Sequence, residues 1–343
     1  MTDLAETFRR FADQQAVGLS PLYATLSRAV ARTPELLDLA AHTQPGQPAP
    51  NMLLGAVHHV LRSGVQDPLA SYFTGHEDLD ETRAAALLTD FCRRHTARIQ
   101  RIISTRSVQT NEVGRCAVLL PALASLQQQL DDGRPIRIVD VGASAGLTLL
   151  WDRYTYDYGG HRLALPDSDP DIVLHCGIKG AMPPLTVDQA RFVRPIGIEP
   201  HPVDVTDPEA TKWLVSLTWP EQTQRMTTLN SALALAARTP PTILAGTAQD
   251  HLADVVAETP DEQHLVLVFS WSIYQIFGSP GGRERLVNTL AELSRDRPLH
   301  EISIGHFGHN TARMIMARHD GGVSRSDTVA HCDVYGTWLN WLA

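Results

Sequence analysis

The chain has 343 residues, 43% hydrophobic and 20% charged, with a formal net charge of -9. This length and balance suit a folded protein of about two domains with a sizeable core, and they exclude a disordered, collagenous or membrane-spanning chain. The negative charge argues against nucleic-acid phosphates or anionic lipid as partners, leaving a small-molecule substrate; no pattern specifies an oligomeric state.

Asp3, Glu6, Arg9 and Arg10 interrupt any early apolar run, so neither a secretory signal nor a membrane span is expected, and a cytoplasmic location is. From Leu4 to about Ser104 the apolar residues recur three and four apart, as in Leu22, Leu26 and Val30, which predicts an all-helical module over residues 1–109. Ser20-Pro21 and Thr33-Pro34 place a capping residue before a proline at the first helical position, and one long helix is predicted from about Asp80 to Ser104. Arg93, Arg94, Arg98, Arg101 and Arg106 gather on or just after it and are read first as a solvated helix face with local ion pairs. The four cysteines, Cys92, Cys116, Cys176 and Cys332, form no Cys-x-x-Cys pair and predict reduced, mostly buried thiols rather than a metal or dithiol centre.

Thr110 or Asn111 is placed to cap a helix running to about Leu130, and Asp131-Asp132-Gly133 ends it. Beyond Ile136 short apolar runs alternate with helical stretches, the texture of a parallel sheet covered by helices over residues 110–343. The predicted strands are 136–141, 196–199, 242–245, 265–269 and 301–305, followed by a hairpin of 313–318 and 328–334 around Asp320-Gly321-Gly322. An insertion at about 152–192 carries the alternating Tyr154, Tyr156 and Tyr158 and the turn Gly159-Gly160.

The predicted first strand runs into Gly142-Ala143-Ser144-Ala145-Gly146, and Leu147 begins a helix. Glycines there let a ligand lie against the backbone, and the helix start offers unpaired N–H groups. Asp140, two residues before Gly142, makes the run similar to the acidic-x-Gly-x-Gly-x-Gly motif of class I, Rossmann-like S-adenosylmethionine-dependent methyltransferases, with Ser144 where the middle glycine usually stands. The longer runs 109–116, 141–154, 204–208 and 219–221 resemble a bacterial family with a methyltransferase-like core and a helical N-terminal extension. The resemblance implies a mostly parallel α/β sheet with a C-terminal antiparallel hairpin, and S-adenosylmethionine bound at Asp140, Gly142, Ala143, Ser144 and Gly146. The same five residues also spell the Gly-x-Ser-x-Gly nucleophile elbow of hydrolases, with Asp250 and His306 or His331 in the matching chain order. That alternative lacks the strands and the His-Gly-Gly-type loop an elbow needs before it.

The resemblance further implies a ribose-binding carboxylate at Glu199 and adenine contacts at Gln249 and Asp250, although Asp250 equally suits a helix cap. Ser270, Trp271 and Tyr274 follow the fourth strand, where an aromatic face suits a sulfonium. Asn111, Glu112 and Arg115 are candidates to hold the methionine end, Arg115 by bidentate binding, or else simply cap and pair. Tyr156 and the neighbouring tyrosines are candidate substrate-wall residues, or a half-buried strand, and Tyr156 and Tyr274 are counted with His306 as catalytic candidates. His306 and His309 are candidate bases. Asp327, His331 and Asp333 are expected to face solvent rather than a metal.

The expected function is thus a transferase using the sulfonium as electrophile toward a small molecule, by in-line methyl transfer, with the helical module as lid. Two alternatives stand beside it: a cyclase releasing methylthioadenosine from the same cofactor, and a non-catalytic nucleoside- or partner-binding protein.

Overall fold

The computed structural model describes residues 3–109, 111–308 and 311–343, the side chains of residues 274, 275 and 278 excepted. By internal contacts it divides into two compact units, Met1–Thr110 with Thr206–Asn230, and Asn111–Val205 with Ser231–Ala343.

The first unit is helical. It contains α1 (Leu4–Arg10), a π-helical turn at Phe11–Ala16, α2 (Pro21–Val30), α3 (Pro34–Ala40), α4 (Ala49–Leu61), α5 (Ala70–Phe73), α6 (Glu81–Arg94) and α7 (Thr96–Thr105). Ser20 caps α2 as expected, its Oγ accepting from the Tyr23 N–H at 3.0 Å. The Thr33 hydroxyl instead turns back to the Ala29 carbonyl at 2.8 Å. The single helix expected over 80–104 is two, because His95 leaves helical geometry (φ -116°, ψ 16°) with its ring 4.5 Å from that of Phe91. Segment 206–230, assigned by chain order to the C-terminal domain, joins this unit. Glu221 accepts from Ser20 Oγ and the Leu22 N–H, Trp213 donates to the Ser107 carbonyl, and Trp219 lies against Phe11 and Tyr23. Four of the five arginines pair within the unit on its surface, Arg93 with Glu35, Arg94 with Asp67 and Asp90, Arg98 with Ser63 and Arg106 with the Glu209 carbonyl, and Arg101 is exposed.

The second unit begins with α8 (Cys116–Gln129) and then forms β1 (Ile136–Val141), β2 (Tyr154–Tyr158), β3 (His161–Ala164), β4 (Asp169–His175), β5 (Gly177–Lys179) and β6 (Phe192–Glu199). After α9 (Pro208–Ser216) of the helical unit and α10 (Thr223–Arg238), within which the division falls, come β7 (Thr242–Ala245), α11 (Ala248–Glu258), β8 (His264–Ser270), α12 (Ser272–Gly278), α13 (Gly282–Leu293), β9 (Leu299–Gly308), β10 (Thr311–Asp320), β11 (Val323–Asp333) and β12 (Trp338–Trp341).

Nine strands make one sheet in the order β5-β12-β11-β10-β9-β8-β1-β6-β7. The stretch β9-β8-β1-β6-β7 is parallel. Strands buried on both faces read as continuous apolar runs, as in His264-Leu-Val-Leu-Val-Phe269, rather than alternating ones. The five predicted parallel strands are present. The terminal hairpin is longer than expected, and β12 and β5, which the sequence did not signal, extend the sheet beyond it. Gly321 and Gly322, at φ +57° and +79°, close the hairpin in the left-handed conformation that two-residue turns require. In the insertion, β3-β2-β4 is a separate small sheet turning at Gly159-Gly160. All four cysteines are buried and unbridged. No helix of the described residues is long and apolar enough to cross a membrane.

Candidate functional site

Chain order reverses at β1, whose successor β6 lies on one side and β8 on the other. In open α/β sheets the crevice at the carboxyl ends of such strands is where ligands bind. The carboxyl end of β1 carries the glycine loop. Gly142 sits at φ +86° and Gly146 at +72°; an added Cβ would lie 2.4 Å from Ser272 Cβ at the first and 2.6 Å from Pro241 Cγ at the second. Among the described residues only two other than glycine have positive φ, and both are here: Ser144 at +53° and Trp271 at +73°. Such conformations persist where surrounding bonds over-determine them, and they concentrate at functional sites.

Those bonds are specific. The N–H groups of Gly142 and Ala143 both point at the Ile198 carbonyl, at 2.7 and 3.3 Å. The Ser144 N–H donates to Glu199 Oε2 at 2.9 Å and the His201 N–H to Oε1 at 3.1 Å, so Glu199 fastens the loop to the end of β6. Asn111 bridges from the other side, its Nδ2 donating to the Ala143 carbonyl and its Oδ1 accepting from the Leu147 N–H at 2.8 Å. The loop crosses the sheet face over Gly197, where a Cβ would stand 2.7 Å from Ala143 Cβ. A glycine inside an apolar strand marks such a close backbone approach. It is the signal in Ile196-Gly197-Ile198 that would have located this crossing.

Asp140 is 2% exposed. The Thr148 hydroxyl donates to its Oδ2, while Oδ1 has no hydrogen-bond partner. Burial, with the nearby Glu199 charge adding to it, pushes its carboxyl up to about 6, against the Thr148 bond and Arg115, which act the other way. Ser144, 4% exposed, and Ser272, in contact range of Gly142, likewise bury hydroxyl oxygens without a partner. Three unsatisfied polar atoms thus collect where β1 and β8 end. Ser272 and Thr148 were not anticipated, since nothing in their local sequence distinguishes them.

Arg115 is largely buried. Its Nε donates to the Val334 carbonyl at 3.1 Å, an Nη donates to Ser270 Oγ at 3.4 Å, and its guanidinium lies 4.5 Å from the Trp271 ring centre. The ring expected to face a bound cation therefore already faces an internal one, and Arg115 braces the β8 end. Glu112 accepts from the Gly114 N–H and so caps the 3-10 turn Val113–Arg115. Thr110 lies outside the described residues, and Asn111 caps no helix.

Other candidates separate from this group. Tyr156 is not a wall residue: Tyr154, Tyr156 and Tyr158 are all fully buried, and their hydroxyls donate to the carbonyls of Leu147, Trp151 and Ala117. Alternate residues of a strand share a face, and here that face is core. Asp250 caps α11, Oδ2 accepting from both the N–H and the hydroxyl of Thr247 at 2.7 Å, which holds its carboxyl below the usual range; Gln249 beside it is exposed. His306 is exposed near the end of β9, two residues beyond Ile304, whose carbonyl accepts from the Trp271 N–H. The Tyr274 side chain and His309 lie outside the described residues. For the hydrolase alternative the arrangement is unfavourable: Ser144 Oγ has no base in hydrogen-bonding range, Asp250 is engaged by Thr247, and His331 stacks on Phe307.

No curated protein and no solved structure matches the chain. A family model described as "Uncharacterized protein conserved in bacteria (DUF2332)" matches residues 5–341, and the chain belongs to that family.

Proposed function

We propose that this chain is a Rossmann-like enzyme that binds S-adenosylmethionine at the carboxyl ends of β1, β6 and β8 and directs its sulfonium at a small molecule. The observation that carries the reading is the group of three buried polar atoms without partners, Asp140 Oδ1, Ser144 Oγ and Ser272 Oγ, around a loop held in left-handed backbone. A buried polar atom left unpaired costs about 1–3 kcal/mol, so a fold that keeps three together favours a polar ligand that satisfies them. The order β7-β6-β1-β8-β9 supports the same reading, being that of doubly wound nucleotide-binding sheets.

The residues fit such a cofactor in kind. Asp140 and the two serines match its amino, carboxyl and hydroxyl groups. The bound sulfonium supplies an electrophilic carbon and its leaving group. What the chain supplies is orientation: Glu199 and Asn111 fix the loop, and Arg115 fixes Trp271.

Calorimetry against S-adenosylmethionine and S-adenosylhomocysteine tests the reading. Saturable binding that Asp140→Asn weakens is expected, and no heat at millimolar ligand would refute it. Incubation with S-adenosylmethionine alone then separates the chemistries. Methyl transfer gives S-adenosylhomocysteine only when an acceptor is added, whereas methylthioadenosine without acceptor identifies a cyclase.

A further inference from the structure

At the ends of the strands away from the glycine loop, three polar side chains of β9, β10 and β11 are joined in series. His319 pairs with Ser324 across β10 and β11, and Glu301 pairs with Ala317 across β9 and β10, so residues 301, 319 and 324 share one face of the sheet. His319 Nδ1 lies 2.7 Å from Ser324 Oγ, and its Nε2 lies 3.0 Å from Glu301 Oε2. His319 is 4% and Glu301 9% exposed, while Ser324 is exposed. A buried line of carboxylate and imidazole therefore ends on a serine exposed at the surface.

With Glu301 as carboxylate and His319 as neutral imidazole, the hydrogen bonds of this line run in one direction. An ionised carboxylate only accepts, so Nε2 of a neutral His319 carries the proton toward Glu301 and Nδ1 presents its lone pair. The Ser324 hydroxyl is then the donor to Nδ1. Nucleophile, base and orienting carboxylate stand in the roles of a serine triad, with the two ring nitrogens exchanged; such triads are recognised by geometry and roles, not by chain position. Stability gives no reason for the arrangement, since well-packed apolar residues serve a sheet face about as well as a satisfied buried polar pair.

We propose that Ser324, His319 and Glu301 form a second reactive centre, which transfers acyl groups from activated esters to water. Ser324 Oγ bonds to the ester carbonyl carbon as its proton passes to His319 Nδ1. The tetrahedral adduct collapses, the carbon–oxygen bond to the leaving alcohol breaks, and that alcohol takes the proton from His319. Water then attacks the acyl-serine with His319 again as base, releasing the carboxylic acid and restoring Ser324. Glu301 touches no reacting atom and is a positioning residue. An activated ester is the fitting class because nucleophile and base come from the protein and the leaving group supplies the rest.

The full chain is treated with a fluorophosphonate probe, the adduct is located by peptide mass spectrometry, and p-nitrophenyl acetate turnover is followed in parallel. The adduct is expected on Ser324. Ser324→Ala, a change at an exposed side chain, removes it and slows turnover about tenfold or more. Glu301→Gln slows labelling by about 10- to 100-fold and Glu301→Asp recovers part of that rate, which loss of a merely structural contact would not reproduce. An unlabelled Ser324 in protein with a native circular-dichroism melt overturns the proposal, as does equal turnover by wild type and Ser324→Ala. Labelling confined to Ser144 overturns it too and restores the glycine-loop hydrolase.

Discussion

Replacing Gly142 by alanine tests whether the glycine loop is held against the start of α12 as tightly as the structure has it. Two costs add. An L-residue in left-handed backbone, here φ +86°, costs about 1–2 kcal/mol. The new methyl would stand 2.4 Å from Ser272 Cβ and 3.6 Å from Ser272 Cα, which no rotamer relieves, and overpacking of this kind costs about 1–3 kcal/mol. The sum is about 2–5 kcal/mol. Gly159 isolates the first cost, because it lies at φ +65° with nothing within 4 Å of an added Cβ. Urea unfolding of Gly142→Ala and Gly159→Ala, both in the second unit, should therefore differ by the steric part alone. Adding Ser272→Gly should restore that part in the first variant and not in the second, a coupling of about 1–3 kcal/mol. Equal destabilisation by the two alanines, or no recovery with Ser272→Gly, would refute the contact and with it the geometry assigned to the loop.

Asp140 predicts a pH dependence. Its carboxyl is raised in the fold to about 6 from an ordinary 3.8, so the folded state binds the proton more tightly. The contribution is complete below about pH 4 and lost as pH rises through 6, on the order of 3 kcal/mol over that window. Asp140→Asn should flatten this dependence and make ligand-free protein more stable at pH 8 while weakening cofactor binding; unchanged urea midpoints from pH 4 to 8 in both proteins would contradict it. Tyr156→Phe removes a buried hydroxyl that donates to the Trp151 carbonyl and should cost about 1 kcal/mol in urea unfolding, with cofactor affinity unaltered in calorimetry. In the helical unit, burial lowers His58 to about 3 from 6.5. A depressed histidine gives stability that is present above 6.5 and lost as pH falls toward 3, so circular-dichroism melting of His58→Gln should depend on pH less steeply than that of wild type between 6.5 and 4.

Much of the architecture was legible because it is written in local periodicity. Apolar residues three and four apart marked the N-terminal helices, and short continuous apolar runs marked β1, β6, β7, β8 and β9. Where side-chain chemistry acts within a few residues, reading it forward also worked, as with Ser20 capping α2 and Gly159-Gly160 closing the turn between β2 and β3. Where two readings share one local pattern, the sequence had no means of choosing. Alternating tyrosines suit a ligand wall or a buried face, and an Asp three residues after Thr247 suits an adenine contact or a capping box.

The chain itself determined the strand and loop at Asp140 to Gly146 and the glycines that this turn requires, because backbone conformation and amphipathic spacing are properties of neighbours along the chain; the helix expected from Leu147 is instead a 3-10 segment, Leu147–Arg153, kinked at Leu150. Only the tertiary structure decided which distant residues complete the site. Glu199 as the tie to Ser144, Ser272 against Gly142, and Arg115 against Trp271 all depend on where β6 and β8 lie beside β1. The union of residues 206–230 with the N-terminal helices, and the series Glu301, His319 and Ser324, arise in the same way. Packing against residues far along the chain selects among conformations and roles that local sequence leaves equal in energy, and no periodicity records that choice.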